Sequence, residues 1–399
     1  MTKEQKFFLQ LLSDHLNGRK TEAVSGINWD TICGYAADHQ VNGIIYMQCR
    51  SFLPVQIEKS LSEKYASEIY YHVNRQSLYQ QVRKQFSAEK IPFLTFKGLN
   101  IAALYPVAAL RTMGDCDLLV RPADKDRAHS VMLSLGFQNR LKEEHEWTYL
   151  KNDLEFEIHD HLLYDKPTSD KANRESTEQV WQYAALCDGS EYALDWSFHF
   201  FYLLLHLKKH LIGTGVGFRQ FMDLAVVAKH CDLNLDWLTE TLEAQGMLRF
   251  AQVCSALVER WFEARLPFAP AQLDDIFYER STQKVFGNGV FGFQDESNEQ
   301  NSSLNDLTIR GGPRWLQRVR MLLGSVFPSY RNMRYVPHYS FLNGRPWLLP
   351  AAWIYRFYRS IRYRMSENGR QLIGNALISN ETLDSRLQEL EVWGLRKND

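Results

Sequence analysis

At 399 residues and 46.6 kDa the chain exceeds what one hydrophobic core ordinarily organises, so two or three packed units are expected. Hydrophobic residues make up 45% and charged residues 23%, the usual balance of a soluble globular protein. A formal net charge of -1 and a pI near 6.9 exclude any overall pull toward nucleic acid or acidic lipid, so such a partner must be met by a local patch.

The six cysteines, Cys33, Cys49, Cys116, Cys187, Cys231 and Cys254, show no CxxC and no Cys/His zinc spacing, which points to a reducing compartment and away from structural zinc. The stretch MTKEQKFFLQLLSDHLNGRK breaks its apolar residues with acids and amides and does not read as a signal peptide. No apolar run approaches the roughly 20 residues of a membrane span. The expectation is a cytoplasmic protein with no transmembrane segment.

Residues 1–90 read as an N-terminal helical region, in which Phe7, Phe8, Leu11 and Leu12 recur at three-to-four spacing. A short strand over 91–96 follows, with Pro92 near its start. Lys97-Gly98 closes it and opens a short helix that Pro106 ends. The next strand is LRTMGDCDLLV, and PADKDRAHSVMLSLGF after it reads as a helix stopped by Gly136. EWTYLKNDLEFEIHDHL reads as a hairpin, 147–150 turning through Lys151-Asn152-Asp153 into 154–158. Residues 91–165 are thus a small α/β core. Residues 166–290 read as a helical domain in which a glycine-rich turn, 213–217, separates two helices. The Gly-, Ser- and Asn-rich 291–309 reads as a linker, and 310–399 as a basic, aromatic-rich helical region. The predicted fold class is α+β, a small mixed sheet embedded in a mostly helical protein.

Inside LRTMGDCDLLV, alternation puts Asp115 and Asp117 on one face of the strand and Cys116, Leu118 and Val120 on the other. Two carboxylates that close raise each other's pKa unless a cation sits between them, and a divalent metal is the candidate. In LEFEIHDHL, Glu155, Glu157 and His159 likewise share a face, so a neighbouring strand could supply a third acid. Mg²⁺ prefers such oxygen ligands and leaves positions for phosphate. Two ions roughly 3.5 to 4 Å apart can activate a hydroxyl and stabilise leaving pyrophosphate. An Asp-x-Asp alone is more often a solvated strand end or turn. Here the apolar strand, the Lys-Gly turn before it and the acid-bearing hairpin after it favour chemistry.

In the order and spacing of IPFLTFKGLNIAALYP, RTMGDCDLLV, FEIHDHL and HLKKHLIGTGVGFRQFMDLAVV, the chain resembles the uncharacterised bacterial nucleotidyltransferase family of the polymerase-β-like nucleotidyltransferase superfamily. The resemblance implies a Mg²⁺- or Mn²⁺-dependent transfer of a nucleoside monophosphate from an NTP to an acceptor. It matches Asp115 and Asp117 to the paired metal ligands and Glu157 to the third acid, two before His159. The glycine-serine turn of better-known superfamily members is Lys97-Gly98 here, and Lys97 could replace backbone donors with a point charge on the phosphates. The acceptor is open among small-molecule, protein and tRNA candidates. A non-catalytic nucleotide-binding or scaffold protein, and a toxin-like enzyme modifying tRNA, are the competing readings.

Other residues admit two readings each. Arg111 could contact phosphate or pair with the strand acids. His159 could orient Glu157, touch the acceptor, or simply be hydrogen-bonded. Lys208, Lys209, Arg219 and Asp223, around the 213–217 turn, could reach the active cleft or belong to a solvated helix face. Glu155 is the fallback third ligand. His206 and His210 are four apart on a helix without an HExxH glutamate, which favours polar contacts over a metal. Residues 310–365 hold no acid and no lysine, only arginines among aromatics. They could meet tRNA, a nucleotide-linked substrate or an anionic membrane surface, or pair with acids elsewhere in the chain.

Overall fold

Short apolar runs with a period of two build one mixed sheet. The computed structural model describes residues 1–142, 146–162, 179–212 and 215–290, and beyond them 323, 327, 330, 333, 337–342, 344–362 and 388–395. The chain divides into two compact units, Met1–Leu211 with Gly215–Asp295, and Ile212–Thr214 with Glu296–Asp399.

In the first unit the strands are β1 (Phe93–Thr95), β2 (Asp115–Val120), β3 (Gln138–Lys142), β4 (Glu146–Lys151), β5 (Leu154–His159), β6 (Ala184–Asp188) and β7 (Glu191–Leu194), in the order β3-β4-β5-β2-β1-β7-β6. β2 lies antiparallel to β1 and parallel to β5, and β7 lies parallel to β1. The hairpin β4–β5 turns where expected, with Asn152 and Asp153 both at positive φ, 53° and 60°. That pair of left-handed residues suits a two-residue hairpin turn.

The α+β class expected from sequence is the fold observed. The sheet, however, is larger than the expected core. β3 was not anticipated, and β6 and β7 fall within 166–290, which had read as helical. β3 and β6 are short and largely exposed, and β7 is only four residues long, so the apolar alternation that reveals a half-buried strand is weak or too brief in them. The expected linker 291–309 lies outside the described residues.

Helices cover both faces. On one, α4 (Val55–Ala88), α5 (Gly98–Ala102) and α6 (Lys125–Ser134) pack Leu78, Tyr79, Val82, Phe86, Leu99, Ala128 and Met132 onto Cys116, Leu118, Val120, Phe156 and Ile158. On the other, Phe198 and Tyr202 of α7 (Trp196–Ile212) meet Leu94, Phe96 and Leu119. Asp195 starts α7 by accepting from the backbone N–H of Ser197 (2.9 Å) and Phe198 (3.1 Å).

The N-terminal helices α1 (Lys3–Asn17), α2 (Trp29–Asp38) and α3 (Asn42–Cys49) join the later helices α8 (Phe218–His230), α9 (Leu235–Ala244), α10 (Leu248–Phe262) and α11 (Asp275–Asn288) through an aromatic core. In it Phe8, Phe218 and Phe286 surround the His39 ring at centroid distances of 5.8, 4.9 and 6.0 Å. Of the second unit, α12 (Leu349–Arg362) and the buried Met333, Leu342 and Ala352 are described. Trp347, Ile354, Phe357 and Tyr358 are exposed there, while the side chains of Arg359 and Arg362 lie outside the described residues. All six cysteines are free thiols.

His39 is fully buried with neither ring nitrogen hydrogen-bonded, and burial, aided by the Arg219 charge, lowers its pKa to about 3. A depressed folded-state pKa leaves its contribution intact above the ordinary histidine value and removes it as pH falls toward 3, by about 1.4 kcal/mol per pH unit. His39→Phe, which keeps the ring and cannot be protonated, should therefore gain roughly 1–2 kcal/mol on the wild type between pH 8 and pH 5. Urea denaturation at the two pH values measures this; a pH-independent difference would remove His39 from the acid response.

Candidate active site

Register decides which acids meet. Across the parallel pair β2–β5, Asp115 stands opposite Glu155 and Asp117 opposite Glu157, with Leu119 opposite His159. Across β4–β5, Glu146 stands opposite His159. Parallel strands in register present partner side chains on the same face, so Asp115, Asp117, Glu155, Glu157 and His159 form one polar surface. The opposite face is the apolar one that carries Cys116 and Leu118.

Asp117 is the most buried of these acids, with 2% of its surface exposed. Its Oδ1 accepts from Lys97 Nζ at 2.8 Å and lies 3.2 Å from His159 Nε2, which is also 3.1 Å from Glu157 Oε2. Its other oxygen, Oδ2, is buried with no hydrogen-bond partner. Burial opposes the charge on Asp117, but the Lys97 ammonium and the His159 contact outweigh it and hold the carboxyl well below the usual range. Burial and the Asp117 charge push Asp115 up, against the pull of Lys97. Burial, with Asp115 and Asp117 adding to it against the His159 contact, pushes Glu157 to about 7. Burial disfavours a charged His159, yet its contacts to Asp117 and Glu157 raise it to about 9.

Lys97 joins this cluster through a strained backbone. Its φ of 60° and ψ of -117° lie where side chains are rarely tolerated, at a cost of about 1–3 kcal/mol. The conformation is fixed from three sides. Lys97 N–H donates to His199 Nε2 at 2.9 Å, Nζ meets Asp117, and Asn100 Nδ2 donates to the Thr95 carbonyl at 2.9 Å to close the turn. His199, on α7, is almost fully buried, stacks on Trp196, and is lowered to about 4 chiefly by burial. Its Nε2 therefore accepts. At Gly98 a Cβ would come within 3.1 Å of Met113 Sδ and 3.4 Å of Arg111 Nη1, so those side chains would have to give by a few tenths of an ångström to admit one.

The remaining predicted residues hold the loop that leads into β2. Arg111 does not pair with the strand acids; it donates to Asp223 on α8 through Nε (3.2 Å) and Nη2 (2.7 Å), and Tyr105 OH donates to the same carboxylate at 2.8 Å. Arg219 Nη1 donates to the carbonyl and hydroxyl of Thr112 at 2.8 and 2.9 Å. Asp223 and Arg219 thus anchor the segment before Asp115, both in buried positions. Lys209 is exposed on α7, and His206 Nε2 contacts His210 Nε2 at 3.1 Å. Sequence reasoning missed Glu146, one residue before the expected strand, and His199, which only the docking of α7 brings to the Lys97 turn.

A mixed sheet with paired aspartates on one face, acids on the adjoining strand and a lysine-glycine turn beside them is the arrangement of a nucleotidyltransferase-like α+β core. The profile of a family described as uncharacterised nucleotidyltransferase matches residues 25–263, and the chain belongs to that family. No curated protein and no solved structure matches the chain.

The Arg111–Asp223 pair is buried, and removing one partner strands the other charge. Arg111→Met should cost about 3–5 kcal/mol of stability, and Arg111→Met with Asp223→Leu much less, as measured by urea unfolding. Additive losses in the double variant would show that the two side chains act separately.

Proposed function

We propose that the chain is a divalent-metal-dependent nucleotidyltransferase of the polymerase-β-like superfamily, moving a nucleoside monophosphate from an NTP to an acceptor hydroxyl or phosphate. The observation that carries this reading is the Asp117 carboxylate, buried on the sheet with Oδ2 unpartnered and with Asp115 and Glu157 on the same face. Asp117, Glu157 and His159 each offer a ligand atom within 4.8 Å of the others. Carboxylate-rich, oxygen-donating surroundings fit Mg²⁺ or Mn²⁺. Asp115, Asp117 and Glu157 would hold the metal, which when bound supplies positive charge to the phosphates and to the leaving pyrophosphate.

The chain's own groups account for the rest. The acceptor oxygen bonds to the α-phosphorus, the bond from that phosphorus to the bridging oxygen breaks, and pyrophosphate leaves. Where the acceptor is a hydroxyl, its proton passes to Glu157. His159 holds Glu157 and Asp117 in place through its single Nε2. Lys97, the counter-charge of Asp117, turns to the triphosphate once Asp117 has another cation. His199 keeps the Lys97 turn in its strained form.

Asp117→Asn preserves shape and removes charge. It should abolish transfer of labelled NMP in the presence of Mg²⁺ or Mn²⁺ and cell extract, and leave the thermal unfolding cooperative. Near wild-type labelling by this variant would sink the carboxylate-centred reading.

Lys97→Met separates the two roles of the lysine. NTP binding measured by calorimetry should weaken about tenfold or more, the usual scale for a charge-assisted phosphate contact, while Mn²⁺ affinity stays or rises because Asp117 loses its competing ammonium. Lost Mn²⁺ binding with unchanged NTP affinity would reverse the assignment.

A further inference from the structure

On the apolar side of the sheet, where the loop into β2 ends, lies a cavity of about 270 Å³ lined by Glu68, Tyr71, His72 and Arg75 of α4, by Ala109 and the segment 111–114, and by Asp153 and Leu154. Residues 68, 71, 72 and 75 recur at helical spacing, so one face of α4 forms the wall. Arg75 is 7% exposed. Its guanidinium makes one hydrogen bond, from Nη2 to the Gly114 carbonyl at 3.2 Å, and its Nε is buried without a partner. No carboxylate forms a salt bridge with Arg75 among the described residues, although Asp115 attracts it electrostatically.

A buried guanidinium without a salt-bridge partner is costly, and an anion entering the cavity would complete it. The other lining charges do not meet that need. Arg111 is held by Asp223, the Glu68 carboxylate is turned to the Gly43 N–H at 3.1 and 3.3 Å, and Asp153 is exposed at the hairpin tip. The volume falls below the roughly 300–1,000 Å³ of sites that enclose a whole drug-sized ligand, and suits one small anionic group with some water.

Position gives the anion its meaning. Gly114, whose carbonyl Arg75 holds, is the residue before Asp115, and Asp115 and Arg75 interact electrostatically. The triphosphate belongs with Lys97 on the opposite face of β2, so this pocket serves a different anion. We propose that it anchors the acceptor by a phosphate or carboxylate group held on Arg75, the acceptor then reaching past Gly114 toward Asp115. This assignment of substrate class rests on the transferase reading above; the anion site itself does not.

The test titrates inorganic phosphate and, separately, succinate into the full-length protein by calorimetry, metal-free and alone, and again with Mg²⁺ and a mixture of the four NTPs present. At least one of the two anions should bind saturably to the wild type and to Asp117→Asn. Binding should fall about tenfold or more in Arg75→Gln, on the scale of a lost charge-assisted contact. Ala109→Glu, which keeps Arg75 and brings a carboxylate to the cavity wall, should lose it as well, so a poorly folded Arg75→Gln does not decide the matter. Whichever anion binds identifies the acceptor as phosphorylated or carboxylated. No binding of either by the wild type, or wild-type affinity in Arg75→Gln, overturns the site. Tighter binding in Asp117→Asn, where Lys97 loses its counter-charge, or displacement of the anion by NTP, places it on the nucleotide side and overturns the acceptor assignment. Absence of NTP binding removes the transferase reading while the phosphate and succinate titrations still decide the pocket.

Discussion

Everything in this molecule that concerns charge turns on one buried carboxylate. Asp117 sits within an apolar strand, and only the Lys97 ammonium and the His159 ring keep its negative charge tolerable. Both partners come from other strands or turns, so the three can meet only if β1, β2 and β5 are in their observed register. A slip by one residue would turn Asp115 and Asp117 onto the face packed by α4 and α6 and expose Leu118 to the polar side. The apolar half of β2 and the ionic half therefore enforce the same alignment. The hydrophobic pattern sets it and the ion pair makes errors costly.

The Lys97 turn follows from that constraint. For its ammonium to reach Asp117 from the end of β1, the backbone adopts a conformation that glycine would take more readily. The glycine is instead the next residue, where room rather than φ decides, because Met113 and Arg111 crowd Gly98. Backbone strain at residue 97 is offset by the bond from its N–H to His199. α7 thus has two tasks at one place: Phe198 and Tyr202 close the apolar part of the sheet, and His199 between them in sequence holds the turn. Burial keeps that imidazole neutral, which is the state in which Nε2 can accept.

Much of this was legible in the sequence because it is written with short periods. The alternation in DCDLLV and LEFEIH put the acids on common faces, and the structure pairs Asp117 with Glu157 rather than with the fallback Glu155. What was illegible depends on contacts distant in sequence. His199 reads as one more residue of an apolar helix. Arg111 lies four residues before Asp115 and invites an assignment to phosphate or strand acids, but its partner is Asp223, 112 positions away. β6 and β7 were missed for a different reason: β6 is too exposed to alternate, and β7 is only four residues long. The Gly189-Ser190 turn between them, with Gly189 at φ 59°, is a hairpin signal that composition did carry.

The two faces of β2 at its first residue differ in electrostatic state, and the difference has a physical logic. On the sheet face that carries Asp115, acids outnumber the cations Lys97 and His159, so that face is left wanting positive charge. On the other, Arg75 is left wanting negative charge, one residue away at Gly114. Nothing in packing prevents a shift of α4 that would let Arg75 neutralise the acids, except that Leu78, Tyr79, Val82 and Phe86 fix the helix on the apolar side. The core thereby keeps apart two unsatisfied charges of opposite sign that would otherwise cancel. A structure that only had to be stable would gain by pairing them. Under the transferase reading proposed above, a polyanion and its counter-cations would each complete one of the two.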